Sequence, residues 1–175
     1  MQRYDLIVIG SGPAGQRAAI QAAKSGKKVA VVEKRECLGG VCINTGTIPS
    51  KTMREAVLHL SGFHYREIYG INYRVKEKIA MADLLFRVNH VIKTEADVTQ
   101  SQLTRNGVDV LTGQASFLDS THIAVENSLG RSEYETSFAL IAVAPSRPSH
   151  RRFHSTGALS STAIRFYPCR RCREL

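Results

Sequence analysis

The feature that most constrains the fold is a glycine-rich turn near the N-terminus, Gly10-Ser-Gly-Pro-Ala-Gly15. The apolar run before it, residues 4–9, is typical of a short strand buried on both faces. The alanine-rich stretch after it predicts a helix over 13–25 that ends at Gly26, and a second buried strand follows at 29–32. Two short strands joined by a helix predict a right-handed, parallel βαβ unit and therefore an α/β fold.

The three glycines of this turn have the spacing of a dinucleotide-binding loop. Gly10 permits the tight turn, Gly12 lets the backbone approach a pyrophosphate, and Gly15 lets the helix pack closely on the sheet. The N-terminus of the helix favours an anion, and Glu33, at the end of the second strand, is placed to accept hydrogen bonds from an adenosine ribose. The alternative is a turn that binds nothing, and the turn alone does not distinguish NAD from FAD. The predicted cofactor contacts here are Gly10, Gly12, Pro13, Ala14, Gly15, Glu33 and Lys34.

The rest of the chain alternates between helical and strand patterns. A glycine-rich stretch over 38–46 is followed by a predicted helix over 49–60 and a mixed, partly irregular stretch over 61–79. Apolar residues at helical spacing predict one long amphipathic helix from Met81 to about Thr104, closed by Gly107. Short strands are predicted at 108–111, 115–118, 122–125, 134–138 and 139–143. The middle three are typical of a small meander, and the last one is apolar enough to return to the parallel sheet.

The stretch from Leu38 to Lys51, Leu-Gly-Gly-Val-Cys-Ile-Asn-Thr-Gly-Thr-Ile-Pro-Ser-Lys, resembles the most characteristic stretch of the pyridine nucleotide–disulfide oxidoreductases. In that family it reads G-G-x-C-x-x-x-x-C-x-P-S-K, with a cysteine pair beside the flavin and the lysine near the reactive edge of the ring. The resemblance covers about residues 4–143. It implies a Rossmann-like FAD-binding domain with a parallel sheet, a long helix insertion and a small β-meander, and it implies FAD as cofactor with NADP and NAD as substrates. The further cofactor contacts that it implies are Gly39, Gly40, Val41, Cys42 and Lys51, and Gly113 and Ala115 on a strand whose backbone meets the adenine.

The chain departs from this pattern at one position, because Cys42 occupies the first cysteine position but Thr47 the second. Thiol–disulfide exchange requires a second sulfur, which threonine lacks. Cys37 could pair with Cys42 only if the glycines between them folded back. Gly46-Thr-Ile-Pro-Ser-Lys51 resembles instead the subgroup of soluble, Si-specific pyridine nucleotide transhydrogenases, which pass hydride from NADPH to FAD and on to NAD. The resemblance implies that Lys51, Cys42 and Thr47 are the catalytic positions, without a redox disulfide. The alternative for Lys51 is a solvated helix residue.

A second family contact is altered near residue 143. Residues 141–148 resemble the motif I-A-T-G-S-x-P, but Val143 and Ala144 replace the Thr-Gly pair and Pro145 is inserted. This change removes a glycine that lets the backbone approach the cofactor closely. No periodicity holds after Pro145, so we expect an FAD-binding domain over 1–145 and a non-native, disordered, arginine-rich tail over 146–175. A shifted reading frame of residues 153–175 can spell a family-like sequence, which suggests a frameshift near codons 144–152 and a chain truncated relative to the family.

Charge and composition limit the partners. The net charge is +9, but residues 144–175 hold seven arginines and one acid, which leaves about +3 for the rest, an ordinary surface. No nucleic-acid module is recognisable, and no apolar run is long enough for a membrane helix. The terminal Cys169-Arg-Arg-Cys172 lacks a second ligand pair, so no metal site is expected.

We therefore expect a cytoplasmic protein without a signal peptide, whose partners are small-molecule dinucleotides, with no nucleic acid and no membrane. The family implies a homo-oligomer, an expectation that is weaker for a fragment. Two other functions stay open, namely a non-catalytic FAD-binding remnant and a dihydrolipoamide dehydrogenase-like flavoprotein reductase.

Overall fold

A computed structural model of the protein describes residues 2–143 and the backbone of residues 165–168. The helices are α1 (Pro13–Lys24), α2 (Gly40–Asn44), α3 (Thr47–Leu60), α4 (Arg66–Tyr69) and α5 (Met81–Arg105), and a single 3₁₀ turn spans Phe63–Tyr65. The strands are β1 (Gln2–Ile9), β2 (Val29–Glu33), β3 (Asp109–Thr112), β4 (Gln114–Phe117), β5 (His122–Asn127), β6 (Gly130–Ile141) and β7 (Arg165–Pro168). The α/β fold, the first βαβ unit and the long helix are confirmed.

The chain divides into two compact units. The first, residues 1–36 with 102–175, contains the sheet and α1. The second, residues 37–101, contains α2, α3, α4 and most of α5. The predicted boundary at residue 145, the frameshift near codons 144–152 and the predicted disordered tail lie outside the described residues, apart from the four residues of β7.

The sheet has the strand order β3-β2-β1-β6-β5-β4, and β7 pairs with β6 in addition. β1 pairs in parallel with β2 and with β6, and β2 pairs in parallel with β3. The β4–β5 and β5–β6 pairs are antiparallel, so the predicted meander belongs to the same sheet. Because β1, β2, β3 and β6 run in one direction, their carboxyl ends share one edge of the sheet. In open α/β sheets this is the edge at which ligands bind.

The core follows from the apolar runs that predict the strands. Residues 29–32 of β2 are fully buried, as expected for a strand covered on both faces. One buried cluster spans β1, β2, β5 and β6, and it contains Tyr4, Ile7, Ala30, Val32, Ile123, Val125 and Ala139. Helix α1 packs on β1 and β2 through buried small residues, Gly15 and Ala19.

Several elements differ from the sequence expectation. The separate strands predicted at 134–138 and 139–143 form one twelve-residue strand, β6, because no glycine or proline interrupts residues 134–141. Helix α3 begins at Thr47 rather than at Pro49, which the first turn tolerates because the N–H that proline lacks has no intrahelical acceptor there. The glycine-rich stretch also contains the short helix α2, which its glycines did not predict.

Of the helices that the structure describes, none combines the length and the apolar character needed to cross a membrane.

Candidate dinucleotide site

The glycine turn joins the carboxyl end of β1 to α1 and lies close to two neighbouring strands. Gly10 has φ of +107°, and a Cβ added there would lie 2.6 Å from the carbonyl oxygen of Ala142, just past β6. Its N–H donates to the carbonyl of Val32 at 2.8 Å. Any side chain at Gly10 is therefore excluded both by backbone conformation and by lack of space.

The other two glycines have opposite surroundings. A Cβ at Gly15 would overlap the carbonyl oxygen of Gly10, so this glycine is required for α1 to pack against the turn. Gly12 has φ of −65° and nothing within 4 Å of an added Cβ. The absence of a side chain at Gly12 is explained neither by strain nor by protein packing. It fits a position where a ligand approaches the backbone.

The N-terminus of α1 opens at this space. Gly12 is the N-cap, Pro13 is the first helical residue, no side chain caps the helix and no acidic residue lies in its first turn. The first N–H groups of an α-helix, here including that of Ala14, have no intrahelical acceptor and carry the positive end of the helix dipole. This arrangement suits a pyrophosphate.

Glu33 ends β2 with its carboxylate turned to the glycine turn. Its Oε2 accepts hydrogen bonds from the backbone N–H of Ser11 at 3.0 Å and from Ser11 Oγ at 2.5 Å, and its Oε1 accepts from the Arg35 N–H at 3.2 Å. The sequence reasoning missed Ser11, which is fully buried. The available signal was a small hydroxyl residue between two glycines, with an acid one strand away. Lys34 is exposed.

The junction of β3 and β4 reaches the same edge. The N–H of Gly113 donates to the carbonyl of Glu33 at 2.8 Å, and a Cβ on Gly113 would lie 2.7 Å from the carbonyl oxygen of Glu126. Ala115 is the second residue of β4, and its side chain packs against the core cluster. Among the predicted contacts, the structure thus brings together the glycine turn, Glu33 and Gly113 at the carboxyl ends of the parallel strands.

The predicted flavin contacts of the second unit surround α2. Gly39 and Gly40 have φ of +101° and +61°, a left-handed turn that begins α2. The side-chain amide of Asn44 donates to the carbonyls of Leu38 and Gly40, at 3.1 and 2.9 Å, and holds that turn closed. Val41 is exposed and Cys42 is half-buried.

Thr47 and Lys51 lie one turn apart on α3, and both are exposed. Lys51 also lines a groove of about 590 Å³ together with Glu55 and His59 of α3 and Asp83 and Arg87 of α5. No disulfide occurs in the described part of the chain, where Cys37 is exposed and both Cys37 and Cys42 are free. The same residues contain no group of three His, Cys, Asp or Glu side chains placed to hold a metal ion. The terminal Cys169 and Cys172 lie outside the described residues.

A parallel βαβ unit with a glycine turn, an uncapped helix N-terminus and a carboxylate at one edge of the sheet defines a dinucleotide-binding protein of the Rossmann type. The family model described as pyridine nucleotide-disulphide oxidoreductase matches residues 4–161, and the chain belongs to that family.

Among curated relatives, the chain is 51% identical over 168 residues to a soluble pyridine nucleotide transhydrogenase of Mycobacterium tuberculosis, which covers 94% of this chain and 36% of the relative. It is 38% identical over 147 residues to the protein of that name from Pectobacterium atrosepticum, covering 84% of this chain and 31% of the relative. The chain thus spans about a third of the length of these relatives. Among solved structures it is similar to the Cu(II) complex of the HOCl-induced flavoprotein disulfide reductase RclA from Escherichia coli. That likeness has a TM-score of 0.67 and 27% identity, over 82% of this chain and 29% of the other.

Proposed function

We propose that the chain binds FAD, with the pyrophosphate at Gly12 and the N-terminus of α1, and the adenosine ribose at Glu33. The open space at Gly12 beside an uncapped helix N-terminus supports this assignment. Gly113, hydrogen-bonded to Glu33, leads into the strand where the backbone near Ala115 would meet the adenine. The flavin end is assigned to Gly39, Gly40, Val41, Cys42 and Lys51 on the family resemblance.

We further propose that the site belongs to a pyridine nucleotide transhydrogenase, and Thr47 is the single observation that carries this choice. Threonine stands at the second cysteine position, and Cys37 and Cys42 form no disulfide in the described part of the chain. Bound FAD accepts a hydride and passes it on without sulfur chemistry. The names of the mycobacterial and Pectobacterium relatives support the same choice. In a protein of their length, the reaction would transfer hydride from NADPH to NAD.

Lys51 has the chemistry to assist this reaction. An ammonium group close to the reactive edge of the flavin stabilises negative charge that develops there on reduction. It lies on α3 one turn from Thr47, so the cation and the hydroxyl that replaces the thiol share one helix face.

The test is anaerobic spectroscopy of the purified chain. We expect yellow protein with bound flavin after reconstitution with FAD, and bleaching of that flavin by NADPH would support the transhydrogenase. Bleaching by dithionite but not by NADPH would support an FAD-binding remnant instead. Protein that stays colourless in excess FAD would contradict FAD binding itself.

The disulfide reductase is the competing function, since the similar solved structures carry that name. It predicts NADPH-dependent formation of two titratable thiols per chain on reduction. The transhydrogenase predicts no change in thiol count, which a thiol titration before and after reduction would measure.

We also infer that the protein acts in the cytoplasm on small dinucleotides, as a homo-oligomer of the kind that the family implies. Cell fractionation and light scattering on the purified protein test the two inferences separately.

A further inference from the structure

Ser11 uses all three of its polar groups inside the glycine turn. Its backbone N–H and its hydroxyl both donate to Oε2 of Glu33, at 3.0 and 2.5 Å. Its carbonyl accepts from the side-chain amide of Gln16 at 2.7 Å. The Ser11 side chain is completely buried, while the Glu33 carboxylate that it binds is half-buried.

These bonds fix the orientation of the Glu33 carboxylate. The final torsion of a glutamate is broad and roughly two-fold, so a carboxylate held at one point still rotates. Two donors that converge on Oε2 occupy both of its lone pairs. Within residues 2–143, the bond that Oε1 accepts is the longer one of 3.2 Å from the Arg35 N–H, so this oxygen keeps acceptor capacity.

We propose that Ser11 is a positioning residue for the adenosine end of the cofactor, one that holds Glu33 so that Oε1 receives a ribose hydroxyl. This inference rests on the proposed FAD site and deepens it. Without the serine hydroxyl, the carboxylate regains torsional freedom, and ordering it again costs affinity when the ligand binds. Gln16 contributes because its side-chain amide donates to the Ser11 carbonyl and so holds the Ser11 backbone in place.

Ser11→Ala removes the hydroxyl and leaves the backbone N–H in place. We expect FAD affinity, measured by flavin fluorescence quenching, to fall about tenfold, the scale of one charge-assisted hydrogen bond. The same substitution in a Glu33→Ala background should cause no further loss, because Ser11 acts through that carboxylate. An FAD analogue lacking the 2′- and 3′-hydroxyls of the adenosine ribose should bind wild type and Ser11→Ala equally well. Ser25→Ala is the matched control, since the Ser25 hydroxyl donates to the carbonyl of Gln21 in α1 in an exposed hydrogen bond.

Equal FAD affinity of wild type and Ser11→Ala would overturn the inference while leaving the FAD site intact. A tenfold loss that persists with the dihydroxyl-free analogue would overturn it as well, because the effect would then bypass the ribose. Wild-type protein that binds no FAD would instead overturn the proposed function. If Ser11→Ala fails to fold, Ser11→Gly, which keeps the N–H donor, gives the same comparison.

Discussion

At the scale of single residues, Tyr4 connects two strands that are not neighbours in the sheet. Its hydroxyl donates to Oδ2 of Asp109 at 2.8 Å, and so joins β1 to β3 across the intervening β2. The ring is buried, and the ammonium of Lys28 lies 5.1 Å from its centroid. Burial raises the pKa of Tyr4, and the hydrogen bond to Asp109 and the charge of that carboxylate raise it further.

Tyr4→Phe should lower the free energy of unfolding by about 1–2 kcal/mol, since it removes a partly buried hydrogen bond to a charged group. The pKa in the folded state exceeds that of the unfolded state, which is about 10. The contribution of the hydroxyl is therefore complete below that pH and is lost as the pH rises through the raised pKa. Urea unfolding at neutral and alkaline pH measures both effects, with the exposed Tyr69→Phe as control. Equal stability of wild type and Tyr4→Phe at neutral pH would contradict the assignment.

The sequence predicts the need for glycine at Gly10 and Gly15 and the position of Glu33 at the end of β2, because each depends on residues close in the chain or on the strand period. It predicts neither the Tyr4–Asp109 hydrogen bond nor the two hydrogen bonds from Ser11 to Glu33. Tyr4 and Asp109 are 105 positions apart, and Ser11 and Glu33 are 22 apart. The tertiary fold brings each pair together, and spacing in the sequence alone does not predict the contact.

At the scale of elements, two glycine substitutions at the N-terminus of α1 should have different effects, one on FAD affinity and the other on stability. Gly12→Ala places a methyl group in open space at an ordinary φ, so we expect little change in unfolding but a large loss of FAD affinity. Gly15→Ala drives a methyl group into the Gly10 carbonyl and should destabilise the protein by about 1–3 kcal/mol. Thermal unfolding of the apoprotein, together with FAD titration, distinguishes the two. Unchanged FAD affinity of Gly12→Ala would place the pyrophosphate elsewhere.

Helix type and length were predictable where the apolar period is long. The 25 residues of α5 give seven turns of consistent pattern, and its predicted span differs from the observed one by a single residue. α2 is only five residues long, and left-handed glycines with a side-chain amide from Asn44 define it rather than periodicity. The sequence predicts two strands in place of β6 because the polar first half is typical of a hairpin and the apolar second half is typical of a buried strand.

At the scale of the whole molecule, the proposed FAD binding predicts a gain in stability. A ligand that binds only the folded state adds about 2.7 kcal/mol at one hundred times its dissociation constant. We expect FAD to raise the midpoint of thermal unfolding accordingly. FMN should raise it much less, because FMN lacks the adenosine half that Glu33 and Gly113 are placed to receive. Equal shifts with FMN and FAD would exclude the adenosine site at the carboxyl edge of the sheet.

The strand β6 also determines when the sheet can be completed. β1 lies between β2 and β6, and its residues 2–9 pair with 134–141, so one edge of the central strand has its partner at the far end of the described sequence. During synthesis, α1 and β2 emerge early, but the second edge of β1 stays unpaired until residue 134 and those after it have left the ribosome. Such an open edge can pair with other chains, and contacts this distant form slowly. The newly made protein therefore passes through a period in which one edge of its central strand is open to pairing with other chains.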